Sequence, residues 1–279
     1  MIILVGVLTQ DTDMSTQIII VFILTMLINL ITTLSYAVRI VGVRTGRIAI
    51  TFSLFNILVL LSRTANTFQA PLLAKTVEDG LKHQVTSNEA VFRYIILSCT
   101  IGSVLGAILI PTFRRLMTGA VANFSVHRSI PRLFYLGLSG AGMQFMKESL
   151  RMPAKETLVM LSERKDFPWR IFMYNVLATA IITIAVLSCV YAAYLSPEYR
   201  TTASNLSGVI NGIATVLMAL FIDPHLSMLT DDVVLGKLSQ RAFSRYVSYM
   251  VLARILGTLV AQVLFLPAAQ LIAHLAEKV

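Results

Sequence analysis

Six apolar stretches constrain this chain more than any other feature in it, because each is close to the roughly 20 residues that carry an α-helix across about 30 Å of hydrocarbon. They run Gln17 to Val38, Ile48 to Ala74, Tyr94 to Phe113, Ile171 to Leu195, Leu206 to Ile222, and Tyr246 to Leu275. Within lipid, a segment of this length must satisfy its own backbone hydrogen bonds, which predicts helices. Composition agrees: 56% of the 279 residues are apolar and 13% charged, with a mean hydropathy of +0.78. That is more apolar surface than a soluble core of this length hides. The expected fold class is all-α, a polytopic membrane protein with six transmembrane helices. The opening run, Met1 to Leu8, lacks a basic flank and is followed by Asp11 and Asp13. It does not read as a cleaved signal peptide, so the first long helix is expected to be an uncleaved anchor.

Orientation follows from the basic residues. With six crossings, segments 39–47, 114–170 and 223–245 hold 16 of the 23 Lys and Arg, the opposite segments hold five, and Arg63 and Arg254 lie within spans. The first set is expected to be cytoplasmic, with both termini extracytoplasmic. The net charge of +9 is then mostly a topology signal, and no basic and aromatic interleaving points to nucleic acid. Cys99 and Cys189 lie in apolar spans, where a thiol behaves as a small hydrophobe. His83, His127, His225 and His274 have no ligand spacing, so no metal and no cofactor are expected.

The chain divides into a first transmembrane half (1–113), a cytoplasmic interfacial linker (114–170) and a second half (171–279). The halves share an order of features. Arg93-Tyr94 leads to Gly102 and Gly106, then Pro111; Arg245-Tyr246 leads to Gly257 and Ala261, then Pro267. An odd number of spans per half would make this a 3+3 inverted-topology repeat, a plan used by alternating-access transporters. The competing reading is that such features recur in unrelated membrane helices. Gly102 with Gly106, Gly208 with Gly212, and Gly257 with Ala261 are one turn apart, a spacing that lets helices pack closely. Internal packing is the first reading and a homodimer seam the second. In the linker, Ser129-Ile130-Pro131 reads as a helix start. Leu133, Phe134, Met143, Phe145 and Met146 set against Arg132 and Lys147 give an amphipathic surface helix or a re-entrant segment. Pro153 is expected to start a second short helix.

The chemistry is sparse. No spacing matches a nucleotide-phosphate loop, so ATP hydrolysis is not expected. Asp223, followed by Pro224 at the end of the fifth span, is either a proton-coupling carboxylate or a solvated turn. Arg63 stands in a stretch, Ile48 to Ala74, with no other ionisable residue; a cation at mid-bilayer costs about 2.5–3.5 kcal/mol, so it needs a protein interior, a partner or an aqueous path. Ser53, Asn56, Arg63, Asn66 and Gln69 are expected to form a polar strip facing the bundle, with Asn211, Arg254 and Gln262 lining the same space from the other half. Two intramembrane arginines and no lysine suit a phosphate-bearing ligand. Otherwise each pairs with helix carbonyls or snorkels to an interface.

The run Tyr36-Ala37-Val38-Arg39, Gly42-Val43-Arg44-Thr45-Gly46-Arg47-Ile48-Ala49, Ser53-Leu54-Phe55-Asn56-Ile57-Leu58-Val59 and Ser62-Arg63-Thr64-Ala65-Asn66 resembles the Amj family, alternates to MurJ in flipping lipid II for bacterial cell-wall synthesis. The resemblance implies a flippase in the bacterial plasma membrane, not an enzyme. With such a lipid as substrate, the placement of the cations leads to the expectation that Arg39, Arg44 and Arg47 receive its anionic polyprenyl-diphosphate headgroup at the cytoplasmic mouth, and that Arg63, Asn56 and Asn66 hold it during alternating access. A membrane enzyme or a scaffold acting on polyprenyl-linked envelope precursors is the rival reading.

Overall fold

The computed structural model describes residues 12–82, 89–127, 129, 132, 135–137, 139–150 and 167–278. Met1 to Leu8 and the helix expected from Pro153 lie outside the described residues. The helices are α1 (Thr12–Thr45), α2 (Ile48–Lys82), α3 (Glu89–His127), α4 (Gly140–Ser149), α5 (Trp169–Leu195), α6 (Arg200–Leu217), α7 (Asp223–Val234) and α8 (Gln240–Ala276). All six apolar stretches become helices long and apolar enough to cross a membrane. Their ends overrun the apolar limits because charged residues and a single glycine lower helix propensity without ending a helix: α3 continues through Arg114, Arg115 and Gly119 to His127. The reversals come where the chain supplies them. Gly46 and Gly236 take positive φ of 66° and 73°, closing α1 and the turn after α7 in the left-handed region that glycine tolerates. Ser239 then caps α8, its hydroxyl accepting from the Ala242 N–H at 3.2 Å.

The fifth span differs from expectation. The residues Asp223 and Pro224 do not end it. A π turn, Met218–Ile222, joins α6 to α7, and the rod runs over Pro197–Val234. A proline ring crowds the carbonyl one turn back and offers no N–H. Widening the ladder just ahead of Pro224 removes that conflict, and the proline falls in the first turn of α7, where its missing donor matters least.

Helices α1, α3, α5 and α8 form a close-packed core; α2 lies against α1, and the α6–α7 rod lies against α5. Glycine sets the spacing. A Cβ on Gly102 would collide with the Met26 carbonyl of α1, and one on Gly106 would come within 2.7 Å of Thr33 Cβ. A Cβ on Gly257 of α8 would come within 2.7 Å of the Val176 carbonyl and of Thr179 Cβ in α5. At one end of the core Phe92, Tyr191 and Phe265 pack with centroids 5.2–5.8 Å apart. At the other, Phe167 meets Trp169, Phe172 and Tyr249 at 4.7–4.9 Å. Rings at both ends of a 27-residue helix such as α5 suit the two interfaces of a bilayer.

Gly208 and Gly212 do not share this packing: nothing stands within 4 Å of an added Cβ at either. Ala203 and Ala214 are the buried residues of α6. Gly212 lies roughly 180° around the helix from Ala203 at about 100° per residue, so both glycines turn outward. Gly102→Ala is therefore expected to destabilise the fold by about 1–3 kcal/mol through overpacking, whereas Gly208→Ala leaves thermal unfolding in detergent near the unsubstituted value.

Candidate functional site

The most deeply held charge in the described structure is Arg254, 5% exposed and well inside α8. Its Nη2 donates to Asn29 Oδ1 of α1 at 3.0 Å, and the Tyr36 side chain lies beside the guanidinium. The Tyr36 hydroxyl donates to Asn175 Oδ1 of α5 at 3.1 Å, and Asn175 Nδ2 donates to the Met250 carbonyl, one turn ahead of Arg254, at 2.9 Å. On the other side, Asn29 Nδ2 donates to the Thr25 carbonyl at 3.0 Å, and Gln69 of α2 donates to Thr25 Oγ1 at 2.6 Å. Cys99 of α3 lies beside both Asn29 and Arg254. A polar chain thus crosses the apolar core from α2 to α5. Arg254 Nε has no hydrogen-bond partner, and neither have the buried hydroxyls of Thr100, Ser103 and Thr179. Among the described residues no carboxylate reaches the guanidinium. It is held by neutral dipoles alone, although burying a charge without a counter-charge is expensive.

The second cationic feature lies where α1 and α2 meet. Arg39 donates to Asp223 Oδ1 at 3.4 Å and to Ser227 Oγ at 3.3 Å, both on α7, and its guanidinium stands 5.3 Å from the Phe52 ring of α2. This one side chain therefore ties α1, α2 and α7 together. Asp223 is 59% exposed, so the pair is worth no more than about 1 kcal/mol. Arg44 and Arg47 are exposed at the turn. Arg44 lies close enough to Arg114 for the two cations to repel. Arg47 lines a cavity of about 580 Å³ with Ile50, Phe124 and Ser125.

The α2 strip does not close on the bundle. Ser53, Asn56 and Asn66 are exposed, and Gln69 is buried; the side chain of Arg63 lies outside the described residues. Steps of three residues lag a helical turn by about 60° each, so Ser53 and Gln69, 16 residues apart, point roughly 160° away from each other. Asn211 is half-buried on α6, its carbonyl accepting from Thr215, and takes no part in the Arg254 network. Gln262 instead brackets Arg93: its Nε2 donates to the Arg93 carbonyl at 2.9 Å, and Arg93 Nη1 donates to the Gln262 carbonyl at 3.0 Å. Arg254 neither snorkels nor bonds a backbone carbonyl; its acceptor is the Asn29 side chain. Asn29, Tyr36 and Asn175 escape sequence reasoning, although Asn29 and Asn175 are each the only asparagine in their span; an amide in the middle of such a span signals an interhelical bond.

No group of His, Cys, Asp or Glu among the described residues has the arrangement of a metal site. The family profile described as "Amj: Alternate to MurJ" matches residues 24–276. The protein named "Lipid II flippase Amj" from Bacillus subtilis (strain 168) is 40% identical over 264 residues, covering 94% of this chain and 98% of that protein. No solved structure matches the chain.

Asn175→Leu keeps the branched shape of the side chain but leaves the Tyr36 hydroxyl without its buried acceptor, an expected loss of about 1–3 kcal/mol. A fall in the thermal midpoint in detergent, with Ser227→Ala at the exposed rim as the silent control, checks it.

Proposed function

The chain belongs to the Amj family, and from that premise we propose that it is a lipid II flippase, moving the polyprenyl-diphosphate-linked peptidoglycan precursor from the inner to the outer leaflet of the bacterial plasma membrane. The observation that carries this is the family match over residues 24–276, which takes in nearly all of the six helices able to span a membrane.

The cytoplasmic side is the one rich in Lys and Arg, which puts both termini outside. There Arg44 and Arg47, with Arg114 alongside, form a cationic rim, without a carboxylate partner among the described residues, that receives the diphosphate. Arg39 is held by the exposed Asp223, and a phosphate with its higher charge competes for that guanidinium in bidentate geometry. Asn56, Arg63 and Asn66 on α2 then carry the headgroup, with Gln69 and Arg254 deeper in the path and Asn211 at its margin on α6. The polyprenyl tail stays in lipid. An inside-negative potential favours outward movement of an anion by about 2.3 kcal/mol per charge per 100 mV, so no nucleotide is required. Asp223, released when Arg39 turns to substrate, is the candidate coupling carboxylate.

Alternating access of two inverted halves, 1–113 and 171–279, is the accompanying mechanism. Its support is the parallel between the α1–α3 contact at Gly102 and Gly106 and the α5–α8 contact at Gly257, each with one further span lying outside it. The linker between the halves carries α4, whose Met143, Phe145 and Met146 are exposed and suit the inner interface as an amphipathic surface helix. The outward Gly208 and Gly212 suit contact with a second copy.

Labelled lipid II in proteoliposomes tests the reading, because a flippase alone changes its leaflet without changing its covalent structure, whereas an enzyme alters the lipid and a scaffold does neither. Restored growth on depletion of the resident flippase is the expected cellular result. Arg63→Ala is expected to insert normally and lose flipping; full activity would remove Arg63 from the path. Asp223→Asn, which frees Arg39, is expected to lower the lipid II concentration for half-maximal flipping by up to about fivefold, the equivalent of a surface ion pair. A higher concentration would show that Asp223 assists rather than competes.

A further inference from the structure

We propose that Asn29, Tyr36 and Asn175 form a latch that seals Arg254 between the two halves, and that an anionic group of the transported lipid opens it by taking their place at the guanidinium. The inference rests on the flippase reading for the identity of the anion. The latch itself stands on geometry. Arg254 and Asn175 belong to the second half, Asn29 and Tyr36 to the first, so two hydrogen bonds cross the division, Arg254 to Asn29 and Tyr36 to Asn175.

Each latch residue is neutral. Arginine stays charged at any physiological pH, and amide and hydroxyl dipoles stabilise a buried cation far less than a counter-charge does. The closed arrangement therefore leaves the guanidinium electrostatically unsatisfied, with Nε bare. The unpartnered hydroxyls of Thr100, Ser103 and Thr179 sit on α3 and α5 close in sequence to the groups that meet it: Ser103 is one turn from Cys99, and Thr179 packs on Gly257, three residues after Arg254. Together they supply one more cationic donor and three hydroxyls with free capacity, a set that suits phosphate oxygens. A ligand bringing negative charge is bound more tightly by the open arrangement than by the closed one, and that difference is what shifts the population. Neutral latch residues keep the seal reversible; a carboxylate in their place would make it permanent.

Asn29→Asp puts that carboxylate on the guanidinium. In the purified full chain it is expected to raise the thermal midpoint by about 3 °C or more, to cut lipid II flipping at least tenfold, and to lose the thermal gain when Arg254→Gln is added. Cys99, beside Asn29 and Arg254, reports on the seal without any transport assay. With Cys189→Ser as background, vesicles containing undecaprenyl diphosphate are expected to raise the reaction of Cys99 with a small methanethiosulfonate, and Asn29→Asp to abolish that rise. A folded Asn29→Asp that flips at the unsubstituted rate, or that gains no stability, overturns the latch. So does a Cys99 that stays unreactive in the presence of the lipid diphosphate. If Asn29→Asp fails to fold, Tyr36→Phe decides: a lower thermal midpoint with flipping kept or faster supports the latch, and a folded, inactive protein rejects it. A Cys99 response without lipid II transport would refute the flippase reading and leave the latch standing.

Discussion

Backbone contact at Gly102, Gly106 and Gly257 sets the distance on which the rest of the core depends. Lipid offers helices no hydrophobic gain on association, so close approach must be made attractive by packing and by interhelical hydrogen bonds. Missing side chains at these glycines bring α3 onto α1 and α8 onto α5. At that spacing the short side chain of Asn175 reaches the Met250 carbonyl across the α5–α8 contact, while Arg254 reaches from α8 to Asn29 on α1. Larger residues at the contacts would separate the helices and strand Arg254 without its acceptors. Packing and polar satisfaction are therefore one problem here, and it is solved at three positions.

Much of this was legible in the sequence, for a simple reason. Length and apolarity translate directly into spanning helices, and all six expected stretches form them; the family was legible in residues 36–66. The side-chain directions were not. The α2 strip looked continuous because its steps of three seem to repeat, yet the accumulated lag carries Gln69 into the core while Asn56 and Asn66 face out. Gly208 and Gly212 share the spacing of Gly102 and Gly106 but turn from their neighbour, because Ala203 and Ala214 occupy the contact face of α6. Spacing within a helix fixes relative azimuth; which azimuth meets a partner depends on tertiary contacts that local sequence does not contain. Asn29 and Asn175 were passed over because a neutral amide draws less notice than a charge, although the amides are what make the buried charge tolerable.

The cations are treated in three ways. Arg44 and Arg114 repel each other at the rim, Arg39 holds an exposed carboxylate, and Arg254 has only neutral partners. Passing inward, the compensation changes from water, to a weak ion pair, to dipoles in a dry core. If an anion followed that series, as proposed above, it would meet increasing electrostatic need and increasing desolvation, two effects that oppose each other. Such opposition keeps any single site from becoming a trap, which suits a carrier that must release what it binds.

The π turn at Met218–Ile222 has a bearing on this series. Its wider loop accommodates one residue beyond the α-helical complement, and everything downstream is advanced in phase by about 100° relative to an unbroken rod. That offset is what aims Asp223 and Ser227 at Arg39 while Ala203 and Ala214 keep their grip further up. The fifth span thus works as two pieces with independent azimuths on a shared axis, and the seam between them is where a twist in one could be absorbed without unscrewing the other.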